Sequence, residues 1–229
     1  IVQSCYHASG SRAFDAATLG EKVFGRPMEV RLCAPDEVPA ASDRALPLGR
    51  HLGGNRIGFD LGGSDRKCAA VVDGEVVFSE EVAWDPYFQS NPDYHTEGIR
   101  DAIARAAAHL PRIDAVGGSA AGIYIDNEPR VASLFRGVSK ADFDARVRPI
   151  FKRLQAEYGG VPFDVVNDGE VTALAGSMSL NDNAVLGIAM GTSEAAGYCD
   201  GEGHITSWLN ELAFAPVDIR NAAPCDEWS

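Results

Sequence analysis

The sequence predicts an α/β fold in which a β-meander is followed by alternating helices and strands. Three observations carry this. Asp73-Gly74 is a type I′ hairpin signal between two apolar-containing runs, Cys68 to Val72 and Glu75 to Val82. Asp93 to Leu110 places Ile99, Ala102, Ile103, Ala106 and Leu110 on one helical stripe. Short apolar runs then recur between helical segments, an order that builds stacked layers of sheet and helix.

Taken in order, residues 1–55 differ in character from the rest of the chain. Ser11 to Val23 is helix-like, whereas Cys33 to Arg50 is rich in Ala and Pro, with Pro35, Pro39 and Pro47 interrupting any regular element. This stretch reads as a connector or the end of a preceding domain, in which Cys5 and His7 fit a structural or surface role better than metal ligation. At Arg56 a strand begins in which Ile57 and Phe59 alternate with small or polar neighbours. After the hairpin and the first long helix, Ala115 to Ile125 is a glycine-broken strand, and Lys140 to Tyr158 is helical with a kink or restart at Pro149. Phe163 to Asn167 is a short strand whose end, Asn167-Asp168-Gly169-Glu170, opens the helical run Val171 to Met178. Ala184 to Met190 then starts a second meander, as an internal duplication would. The expected units are 56–182 and 183–229.

A formal charge of -13, from 20 basic and 33 acidic residues, argues against a general nucleic-acid or anionic-membrane surface. No apolar run approaches the roughly 20 residues that cross a bilayer. The five cysteines are odd in number, widely spaced and without a Cys-x-x-Cys pair, so reduced thiols and a cytoplasmic location are expected.

Chemistry gathers at strand ends, where ligands collect in open α/β sheets. Asp60 stands at the end of its strand, followed by Gly62-Gly63-Ser64 and then Asp65, Arg66 and Lys67. A double glycine lets successive backbone N–H groups face one anion, and Asp60 can hold a magnesium ion directly or through water. The plain alternative is an ordinary Gly-Gly turn. Asp168 starts a helix whose positive end favours an anion, which makes it the candidate general base and an ionised one. Asn167 or Asp168 can equally be a helix cap. Asn167 offers an amide donor and a carbonyl acceptor that suit a pair of ligand hydroxyls, and Gly118 to Gly122 with Ser119 forms a small-residue strand exit that fits either a substrate loop or tight packing. Trp84 fits a sugar-stacking face or the core.

With these motifs in order, Arg56 to Phe214 resembles the sugar-kinase branch of the actin, Hsp70 and hexokinase superfamily, most closely the ROK family of sugar kinases and sugar-responsive repressors. The resemblance implies a ribonuclease-H-like (actin-like ATPase) lobe and the start of a second, similar one. It assigns Asp60-Leu61-Gly62-Gly63-Ser64 to the first phosphate motif, Asn167-Asp168 to the catalytic dyad, Gly191-Thr192-Ser193 to the second phosphate motif, and Glu211 to sugar binding. Asp65 stands where the family commonly has a lysine, and the spacing to Lys67 is similar to that in hexokinase, so either Arg66 or Lys67 is the cation to face phosphates. ATP and Mg²⁺ are the implied cofactors and a monosaccharide the implied substrate, with homodimerisation left open. The implied activity is transfer of the γ-phosphoryl group of ATP to a hexose or amino-hexose. A sugar-binding regulator, or a phosphohydrolase or acyl-phosphate kinase of the same superfamily, is the alternative.

Two departures stand out. The family's histidine three positions after the glutamate is Phe214 here, and of its cysteine cluster only Cys225 appears, so a structural zinc site is not expected. The chain starts at Ile1 without methionine or signal pattern and stops at Ser229, so a longer parent carrying the adenine-binding segment is expected, the present segment alone being inactive.

Overall fold

The computed structural model describes residues 1–42, 44–190, 194–206, 208, 210–215, 220 and 222. Two short helices, α1 (Val2–Cys5) and α2 (Ala13–Ala17), open the chain, the second running on through a π-helical turn to Val23. Cys5, Tyr6 and Ala16 form a small buried cluster there, against which Met28 and Val30 pack. The proline-rich stretch after it has, among the described residues before Ala45, no regular element except one 3₁₀ turn, Pro35–Glu37. It ends in a two-residue strand, β1 (Ala45–Leu46), which pairs with a strand near the other end of the chain.

The main sheet is built from β2 (Asn55–Leu61), β3 (Asp65–Val72), β4 (Glu75–Ala83), β5 (Ala115–Ala120) and β8 (Phe163–Val166). Between the last two lie a small hairpin, β6 (Ile123–Ile125) and β7 (Glu128–Val131), and further helices. The strand order is β4-β3-β2-β5-β8: an antiparallel meander on one side, with β5 parallel to β2 and β8 parallel to β5 on the other. The hairpin turn falls at Asp73-Gly74, both at positive φ, as the sequence predicts.

One face of this sheet is covered by α3 (Pro92–Ala107) and, after the short α4 (Lys140–Asp142), by α5 (Ile150–Glu157). Helix α3 starts where the Asn91 side chain accepts from the Asp93 amide, with Pro92 at the first helical position. Its stripe of Ile99, Ala102, Ile103 and Ala106 is buried against Ile57, Phe59 and Leu61 of β2 and Val116 of β5. Phe151 and Leu154 of α5 complete this core with Phe163 and Val165 of β8. The helical run from Lys140 passes through a π-helical turn and restarts after Pro149, which lacks the N–H needed to continue the ladder.

Helix α6 (Asp168–Leu180) joins this sheet to a second one made of β9 (Val185–Met190), β10 (Glu194–Cys199) and β11 (Ile205–Thr206), with β1 at its edge. The helix lies directly on β9 and β10 because Gly187 and Gly197 face each other across the pair. A Cβ on Gly187 would come within 2.2 Å of the Ala173 backbone, and one on Gly197 within 2.4 Å of the Gly169 and Glu170 backbone. Arg50 ties the entering segment to the end of α6, donating to Ser177 Oγ at 3.1 Å and Asn183 Oδ1 at 2.7 Å. No helix among the described residues is long and apolar enough to cross a membrane.

Candidate active site

The parallel register sets Asp60 of β2 beside Ser119 of β5, and the Ser119 hydroxyl donates to Asp60 Oδ1. Asp60 stays about half exposed, with Lys67 Nζ at 3.9 Å from its other oxygen. Lys67 is held more closely by Asp65 at 2.6 Å, and this bond keeps the Asp65 carboxyl below its usual range and the Lys67 ammonium above its own. Arg66 points the opposite way. It pairs with Asp101 on α3 and lies over the Trp84 ring, so Lys67 is the cation of this strand on the Asp60 side.

The turn after Asp60 is tight and braced from behind. The Gly62 amide donates to the Asp65 carbonyl at 2.9 Å, while the Gly62 carbonyl accepts from the Trp84 indole at 2.8 Å. Trp84 is 8% exposed and packs with the core, so it supports the turn and offers no face to a sugar. Gly63 is not open on its side-chain side. A Cβ there would lie 2.1 Å from the Tyr87 hydroxyl, so Tyr87, and not an approaching phosphate, fills the side-chain side of Gly63.

Across β5, α6 begins with a reciprocal cap. Asn167 Oδ1 accepts from the Gly169 amide at 2.7 Å, and Glu170 reaches back to accept from the Asn167 amide at 2.9 Å. The remaining Asn167 donors point to the Gly122 carbonyl at 2.7 Å and to Glu211 Oε1 at 3.1 Å. Glu211 Oε1 also accepts from the Gly122 amide at 2.9 Å. One buried amide therefore gathers the exit of β5, the start of α6 and a residue bridged to β10 through Ala195. Capping is real here, and it coexists with a polar cluster.

Asp168 is half buried at this junction, its Oδ1 accepting from the Gly169 amide at 3.0 Å. Its pKa is raised, first by burial and also by the charge of Asp60, against the pull of the helix start. The helix end alone would lower it, and burial reverses that direction. Glu211 is raised for the same reasons, burial first and the Asp168 charge next. Tyr124, on β6, belongs to no motif of the sequence. Its phenol pKa is pushed up by burial and by Asp168 and Glu211, which puts it beside both carboxylates, while its hydroxyl bonds the Ala121 carbonyl at 3.3 Å. The signal available was an aromatic between Ile123 and Ile125, on the opposite side of a strand directly after the Gly122 turn.

The expected second phosphate motif, Gly191, Thr192 and Ser193, lies outside the described residues, as does Cys225. Phe214 closes a 3₁₀ turn, Leu212–Phe214, directly after Glu211.

No family model matches the chain, and no curated protein does. Solved structures do. A ROK hexokinase from Thermus thermophilus aligns over 69% of this chain and 51% of its own, at 18% identity and a TM-score of 0.53. The chain has the fold of the ROK-family sugar kinases and regulators. A ROK-family transcriptional regulator homologous to the Mlc protein of E. coli also aligns, over 77% of this chain and 44% of its own, at 16% identity and a TM-score of 0.51. The chain thus spans about half the length of the ROK-fold structures it matches. In that fold the lobe carrying Asp60 and Asp168 is the mixed α/β one, a β-meander followed by βα units.

Proposed function

We propose that this chain forms the sugar side and the first phosphate turn of an ATP-dependent carbohydrate kinase, which moves the γ-phosphoryl group to a hydroxyl of a hexose or amino-hexose. The observation that carries the proposal is the convergence of Asn167 and Glu211 on Gly122, with Asp168 next to Asn167 and within reach of the charges of Asp60 and Glu211.

Phosphoryl transfer asks mainly for positioning, neutralised phosphate charge and a base at the attacking hydroxyl. In this reading Asp168 accepts the hydroxyl proton, and its raised pKa makes it a better acceptor than an exposed aspartate. Glu211 is aimed by Gly122 and Asn167 through Oε1, which leaves Oε2 for a sugar hydroxyl. The amides of Gly63 and Ser64 receive phosphate oxygens, the Gly62 amide being taken by the Asp65 carbonyl, and Lys67, paired with Asp65, flanks them on the Asp60 side. Among the described residues no cluster of three or more metal-ligating side chains exists. A half-exposed lone carboxylate such as Asp60 suits Mg²⁺, which keeps waters and phosphate oxygens as its other ligands and, when bound, neutralises phosphate charge.

A regulator that binds sugar without turnover is the second reading, favoured by the match to the transcriptional regulator. The test is a monosaccharide panel titrated calorimetrically into this chain, with ATP consumption measured on it and on any longer protein that contains it. Asp168→Asn is expected to lower turnover by about 10²–10⁴-fold while sugar affinity persists. The same change is expected to raise the melting temperature. With the folded pKa raised, the native state binds more protons than the unfolded chain in the window above the ordinary aspartate value, so the ionised group lowers stability at neutral pH. Undiminished turnover removes Asp168 from the mechanism, and sugar binding without ATP consumption favours the regulator.

A further inference from the structure

A polyanion at the Gly62 to Ser64 turn faces an electrostatic problem. The carboxylates around it are Asp60, Asp65 and, across β5, Asp168, in a chain whose formal charge is -13. Of the cations nearby in sequence, Arg66 is turned to Asp101, and Lys67 is held at 2.6 Å by Asp65 with Asp60 at 3.9 Å. Neither brings a free positive charge.

A third cation lies against Tyr87, the residue that backs this turn. The Arg136 guanidinium lies 3.9 Å from the centroid of the Tyr87 ring and 5.1 Å from that of Phe88. Tyr87 is the residue whose hydroxyl sits against Gly63. Arg136 is exposed and has no carboxylate partner among the described residues, whereas Arg100, Arg105, Arg112, Arg146 and Arg148 are all paired. Its seat is built from two loops. Arg136 caps a 3₁₀ turn, Ser133–Phe135, whose Leu134 and Phe135 are buried, and a Cβ on the next residue, Gly137, would come within 2.8 Å of the Gln89 carbonyl. The loop carrying Tyr87 and the loop carrying Arg136 are therefore packed backbone to backbone, and the guanidinium is held in place while its N–H groups remain free for an anion.

We infer that Arg136, seated on Tyr87, is a phosphate-binding residue of the first turn, supplying the positive charge that Arg66 and Lys67 do not. A guanidinium stacked on a ring keeps its in-plane donors available, and those donors match phosphate oxygens two at a time. The expected ligand is a condensed phosphate chain, either inorganic or at the end of a nucleotide. This rests on the phosphoryl-transfer reading for its place in a reaction, yet it is testable as an anion site alone.

The experiment titrates sodium tripolyphosphate, without metal and at low salt, into the wild-type chain and into Arg136→Gln and Arg136→Lys, and separately titrates the sugar panel. Circular dichroism melts confirm that each variant is folded. Arg136→Gln is expected to weaken tripolyphosphate binding by about tenfold, in the range for losing a charge-assisted hydrogen-bonded contact, and to flatten its salt dependence. Arg136→Lys is expected to recover part of the loss, since it restores charge without the fork. Sugar affinity is expected to stay unchanged in both. Equal tripolyphosphate affinity in wild type and Arg136→Gln, or no tripolyphosphate binding by the wild type, overturns the inference even when sugars bind. A tripolyphosphate site lost in Arg136→Gln in a chain that binds no sugar upholds the anion site and sinks the sugar-kinase reading instead.

Discussion

The two sheets of this molecule each contain an antiparallel meander, extended in the first by two parallel strands, and they are held in different ways. The five-stranded sheet has a helix-covered face in which Ile57, Phe59, Leu61, Phe151 and Phe163 form one continuous buried cluster. The four-stranded sheet has only a small one, Ala173, Cys199 and Ile205, with Leu48 and Leu174 packed against it. Its contact with α6 adds to that small cluster a close backbone approach at Gly187 and Gly197, and the side chains on the other side of β9, Leu186, Ile188 and Met190, are exposed. The first sheet is stabilised by apolar area removed from water, at about 25 cal/mol per Å². The second depends on close approach and on hydrogen bonds that pass through α6.

This difference is broken most sharply in the first core. Phe151→Ala removes a fully buried ring that packs near Phe59, Phe163 and Tyr124, and is expected to cost about 3–5 kcal/mol in a urea unfolding curve. A cost under about 1 kcal/mol would mean that this cluster does not dominate. Asn167→Ala acts on the junction between the sheets. It deletes the cap of α6 and the bonds to Gly122 and Glu211, and is expected to cost about 1–2 kcal/mol and to raise hydrogen exchange in α6 and β10 before β2. Equal effects on both sheets would show that they unfold as one unit. Leu186→Ser is the smallest change, expected within about 0.5 kcal/mol because the side chain is 62% exposed. A larger loss would show that the β9 face is covered in solution.

The first sheet was legible because its patterns are local. Alternation in β2, the Asp73-Gly74 turn, the α3 stripe and the Pro149 break each lie within about one element's length of sequence, and each falls where expected. The positions of Asp60 at a strand end and of Asn167 at a helix start were also readable. What was not readable depends on meetings between distant segments. Trp84 gives no hint in sequence that its indole holds the Gly62 carbonyl, and nothing around Gly63 announces Tyr87. The direction of the Asp168 shift is hidden for the same reason: a helix start is visible in sequence, whereas burial by the surrounding loops is a property of the folded chain. Gly187 and Gly197 read as weak points of strands, and only their register reveals them as the contact surface for α6.

The Asn167 side chain has a full set of partners: one N–H on Gly122, the other on Glu211, and its oxygen on Gly169. Under the proposed function, a sugar hydroxyl that arrives here finds both amide N–H groups committed, and to accept from one it must replace a bond that already exists. Recognition at this point is an exchange reaction. Bonds made and broken are of like kind, so their contribution to the heat of binding is expected to be small, and the sign of the net heat will be set by the water released from the sugar. Discrimination between epimers then follows from which hydroxyl can take over the Asn167 to Glu211 bond without disturbing the Gly122 one, a question of angle more than of affinity.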